Sequence, residues 1–76
     1  MDRWLVLVAR LPARNLSARA TVRRQLRSLG GIPLGDGVWT LRDVPEVANG
    51  VHRVLGLVDA AGGETHLWLS LPPGDE

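Results

Sequence analysis

The stretch that most limits the possible folds is WLVLVA, Trp4 to Ala9. Leu5, Leu7 and Ala9 fall on one alternating face and Trp4, Val6 and Val8 on the other, so both faces are apolar. A short continuous apolar run rich in β-branched residues reads as a central strand covered on both sides. Arg10 closes the run too early for a signal peptide, and Pro12 ends the strand. With 76 residues in all, the sheet around it and the cover over it must come from one small domain. Such a core contributes only about 3–5 kcal/mol. Cysteine is absent, so neither a disulfide nor a thiolate metal site reinforces it, and a partner surface is the expected supplement.

The punctuation along the chain defines the other elements. Ser17 is the expected N-cap of a first helix, and Ala18, Val22, Leu26 and Leu29 give it one buried stripe. Gly30-Gly31 stops it. IPLGDGVWTL, Ile32 to Leu41, reads as two strands turning at Asp36-Gly37. Asp43, with Glu46 three residues on and Pro45 in the first turn, predicts the start of a second helix. Val44, Val47, Val51, Val54, Leu55 and Val58 line its apolar face, and Gly62-Gly63 ends it. Gly50 and Gly56 each weaken that helix by about 1 kcal/mol relative to alanine. THLWLSL, Thr65 to Leu71, alternates as a last strand, and Pro72-Pro73 stops it. The β-α-β-β-α-β order predicts an α+β, ferredoxin-like domain over residues 1–71, with two helices on one face of a four-stranded antiparallel sheet. Right-handed crossovers make the first and third strands central. Residues 72–76 are expected to be a flexible acidic tail.

Two surfaces stand out. The aliphatic residues Leu5, Leu7, Leu67 and Leu69 are expected under the helices. That leaves Trp4, Val6, Val8, His66 and Trp68, with Val38 beside them, on an uncovered face of the kind that marks an interaction surface. Homodimerisation through this face is favoured over base stacking, because valines fill the gaps and GVWTL lacks the RNP1 pattern of RNA-recognition domains. The nine basic residues are all arginine in a chain of net charge +1. A GC-rich coding sequence is the expected cause of the missing lysine. Arg19, Arg23 and Arg27 nevertheless form an i, i+4, i+8 row on the first helix with Arg24 further round, and a row of one sign is costly without an anion to face. Arg24 and Arg27 also complement the helix dipole. No helical run is long enough to span a bilayer, so a cytoplasmic location without membrane contact is expected. His52 and His66 lack metal-site spacing, and no nucleophile, base or phosphate loop can be assembled. The expectation is a protein that is not an enzyme and uses no cofactor or metal.

WLVLVARLP, RATVRRQLRSLGGIPLGDGVWTL and AGGETHLW together resemble the amino-terminal domain of the chromate-resistance regulator family ChrB. Arg42 stands where a proline often follows the D-G-V-W strand in that family. Its members are longer, so the resemblance places any effector-sensing region beyond these residues. It implies a bacterial transcriptional repressor that responds to chromate. The similar sheet domain of phenylacetate-pathway repressors, and a related small CRISPR adaptation nuclease, imply homodimerisation. The family's basic helix falls on Arg19, Arg23, Arg24 and Arg27, and its strand-end arginine on Arg10. The nuclease needs an aspartate near the end of the first strand, where this chain has Ala9-Arg10. Two functions follow as expectations. One is a DNA-contacting regulatory module that dimerises through the open sheet face. The alternative is a structural adaptor that docks on itself or on a larger protein assembly.

Overall fold

The computed structural model describes residues 3–70. The chain runs β1 (Trp4–Arg10), α1 (Leu16–Ser28), β2 (Ile32–Gly35), β3 (Val38–Arg42), α2 (Pro45–Ala60) and β4 (Glu64–Ser70). The sheet order is β2-β3-β1-β4 and every neighbouring pair is antiparallel. This is the ferredoxin-like α+β arrangement, with β1 and β3 central as their apolar patterning requires. Leu71 and the tail 72–76 lie outside the described residues.

One apolar layer holds the helices to the sheet. Leu5, Leu7 and Ala9 of β1 and Trp39 and Leu41 of β3 meet Val22 and Leu26 of α1 and Val51, Val54 and Val58 of α2. Leu29, Val47 and Leu55 pack at its margin. Two expected members are missing. Leu67 and Leu69 pair with Leu7 and Leu5 and so share their face, yet they are 40% and 54% exposed. β4 is an edge strand, and the helices leave that part of it bare. β1 likewise has helical cover on one face only.

Both helices end in the same way. Gly30 (φ 82°) donates to the Arg27 carbonyl and Gly31 to that of Leu26. Gly62 (φ 80°) and Gly63 repeat this with Asp59 and Val58. Each glycine pair is thus a Schellman stop that satisfies two orphan carbonyls. The helix starts differ from the sequence expectation. Asn15, not Ser17, caps α1, its Oδ1 accepting the Ala18 N–H at 3.1 Å. Ser17 already lies in the first turn, where its carbonyl accepts the Thr21 hydroxyl. At α2 the cap position is Val44, with no side-chain hydrogen bond. Pro45 forces the residue before it to be extended, and Asp43 is held by a backbone bond from its N–H to the Arg3 carbonyl. Glu46 remains in the first turn, where the helix dipole favours it.

The two helical glycines of α2 are not equivalent. Gly50 is buried, and a Cβ there would collide with the Leu29 side chain, so glycine lets the end of α1 approach α2. A Cβ added at Gly56 would meet no neighbouring element within 4 Å. Gly56→Ala is therefore expected to raise stability by about 0.5–1 kcal/mol in urea unfolding. Gly50→Ala should give no such gain, because Leu29 must move to accommodate the methyl group.

Candidate anion-binding groove and the open sheet face

α1 turns once per 3.6 residues, so its four-residue arginine spacing keeps Arg19, Arg23 and Arg27 on one side of the helix. That side faces the end of β1 and the β2–β3 hairpin. Between them lies an open groove of about 720 Å³, lined by these three residues, by Arg10 and by the turn residues Gly35, Asp36 and Gly37. Its floor is apolar, formed by Ala9, Leu11, Val22, Pro33 and Trp39. No ion pair joins Arg10, Arg19, Arg23 or Arg27 to a described carboxylate. Asp36 is the one acidic residue on the lining, against four guanidinium groups.

The hairpin forms a wall of the groove for a local reason. Gly37 has φ 72° and its carbonyl accepts the Ala9 N–H at 2.8 Å. A Cβ on residue 37 would stand 2.6 Å from the Ala9 carbonyl oxygen. Glycine alone lets the turn sit this close to β1, and this brings Asp36 opposite the arginine row.

The structure thus adds Arg10 to the row, which helical spacing could not do. It separates Arg24, which does not line the groove. Trp39 is the floor residue that sequence reasoning missed. The alternation of Trp39 and Leu41 against Val38 and Thr40 would have placed it with the buried face.

The opposite side of the sheet gathers the five expected interface residues. In register across it, Val6 lies between Thr40 and Trp68, and Val8 between Val38 and His66. Trp4 lies between Arg42 and Ser70. Trp4, Val6 and Val8 are half-buried, whereas His66 and Trp68 are exposed. The His66 and Trp68 rings stack with centroids 5.8 Å apart at 19°. The Arg42 guanidinium sits 5.8 Å from the centre of the Trp4 ring, within cation–π range. Exposed Ile32, paired with Thr40, extends the patch onto β2. The groove lies on the helix side, so both surfaces can be occupied at once.

Among the described residues, no group of three or more His, Asp or Glu side chains could hold a metal ion. No described helix is long and apolar enough to cross a membrane. At the end of β1, Ala9 is buried in the core and Arg10 reaches the groove.

A family model described as Protein ChrB, N-terminal matches residues 19–72, more than half of the chain. No curated protein and no solved structure matches it.

Proposed function

Because the chain belongs to the ChrB amino-terminal domain family, related to chromate-resistance regulators, we propose that it is a non-enzymatic transcription-regulatory module that grips a nucleic-acid backbone in the arginine groove. The observation that carries this reading is the groove's unbalanced charge, four arginines against one aspartate. Arg19, Arg23 and Arg27 follow one another at about 6 Å along the helix axis, a step suited to consecutive phosphates of one strand. Guanidinium groups favour bidentate phosphate contacts. Trp4, Val6, Val8, His66 and Trp68 supply a docking face on the other side of the sheet, so a partner seated there leaves the groove open.

The test is fluorescence anisotropy of labelled duplex DNA across a salt series. Replacing both Arg23 and Arg27 by alanine is expected to weaken binding and to reduce the log–log salt slope by about 1.8, or about 0.9 per phosphate contact. Arg24→Ala, off the groove, should change neither affinity nor slope appreciably. Equal effects of the groove variants and Arg24→Ala would sink the assignment. The apolar sheet face favours a second reading, an adaptor docking on protein alone. Absence of DNA binding by the unmutated protein at low salt would support that reading instead.

A further inference from the structure

The two edges of the sheet are built differently. β2 is four residues long, contains Pro33 and has a register shift before Gly35. These are the devices that stop an edge from recruiting another strand. β4 has none of them. Its register with β1 is unbroken from Glu64 to Ser70, and it contains no proline, glycine, lysine or arginine.

The direction of its free backbone groups follows from β1. The Ala9 N–H bonds to Gly37, and the Arg3 carbonyl accepts from Asp43. Odd-numbered residues of this strand therefore turn their backbone groups toward β3, and even-numbered ones toward β4. The β4 partners of the even-numbered residues are Glu64, His66, Trp68 and Ser70. Thr65, Leu67 and Leu69 consequently point their N–H and C=O groups away from the sheet. Among the described strands, β4 pairs with β1 alone.

We propose that β4 pairs antiparallel with β4 of a second copy of this chain, about a two-fold axis at Leu67, to form a continuous eight-stranded sheet. The sequence of the strand selects this partner and register. Centring on Leu67 pairs all three outward-facing residues, Leu67 with itself and Thr65 with Leu69. It sets Glu64 opposite Ser70, so the one acidic residue of the strand meets no like charge. On the open face it places His66 beside the second copy's Trp68, extending the stack already present within each chain. On the helix face it brings together the leucines left bare in the single chain. This inference does not depend on nucleic-acid binding, and the leucines it brings together, Leu67 and Leu69, lie on the side of the sheet away from the open face.

Sedimentation equilibrium with Leu67→Lys, Leu67→Glu and Val6→Lys tests it, with far-UV circular dichroism confirming that each variant is folded. The expected result is a dimeric unmutated chain, two monomeric Leu67 variants, and a restored dimer when those two are mixed in equal amounts at low salt. The Thr65 and Leu69 amides should exchange slowly with solvent in the dimer and at least 10-fold faster in Leu67→Lys. A monomeric unmutated chain overturns the proposal, as does failure of the mixture to re-associate. A dimer that survives Leu67→Lys but is lost in Val6→Lys also overturns it, and assigns self-association to the open face.

Discussion

Leu26→Ala is expected to leave much of the domain unfolded at room temperature. Leu26 is fully buried, projecting from α1 into the layer shared with Trp39 and α2. Truncating such a leucine removes its transfer free energy and leaves a cavity, at a cost of about 2–5 kcal/mol. A core this small contributes only about 3–5 kcal/mol in total, so the loss consumes most of the margin. Urea unfolding followed by far-UV circular dichroism measures it. A loss under about 1 kcal/mol would show that α1 is not anchored through Leu26. Because Arg23 and Arg27 flank this residue on the same helix, the DNA binding proposed above should fall along with the folded fraction.

Gly37→Ala is expected to have the second largest effect, by another route. The left-handed conformation at φ 72° costs a residue with a side chain about 1–2 kcal/mol. The added Cβ also meets the Ala9 carbonyl oxygen at 2.6 Å, and backbone cannot swing aside as a side-chain tip can. The hairpin must then back away from β1, lengthening the Ala9 N–H to Gly37 bond and opening the groove. The expected result is a thermal midpoint lowered by at least 8 °C, taking about 4–8 °C per kcal/mol for a domain of this size, with weakened anion binding. Gly35→Ala is the control, since a Cβ there has nothing within 4 Å. Equal effects of the two would remove the argument for a special role of Gly37.

What could be read in the sequence was what local chemistry decides. The Asp36-Gly37 turn, the glycine-pair helix stops and the Val22/Leu26 and Val51/Val54/Val58 stripes all follow from conformational preference or periodicity, and each stands in the structure. The helix starts were harder, because several cap formers lie close together. Asn15 and Ser17 compete, and the one that reaches the Ala18 N–H prevails. Asp43 has the right chemistry for a cap, but the β3 extension holds its backbone.

The candidate site was legible in half. Helical spacing aligned Arg19, Arg23 and Arg27, and alternation gathered Trp4, Val6 and Val8. Arg10 reaches the groove only because β1 ends beside α1, a tertiary fact. Leu67 and Leu69 show the converse. Alternation correctly put them on the helix-side face, but not where the helical cover stops.

The pairing of Trp4 with Ser70 also bears on how the chain is made. Of the four described strands, β1 is the first to be synthesised and is central in the sheet, and its neighbour β4 is the last of the four. At about 5–20 residues per second, the 60 residues from Arg10 to Ser70 take roughly 3–12 s to translate. Throughout that interval WLVLVA lacks one of its two neighbours, although β3 can join it earlier. A nascent chain in this state offers a binding site for chaperones that recognise extended apolar segments. Slow codons between α2 and β4 would prolong this exposure.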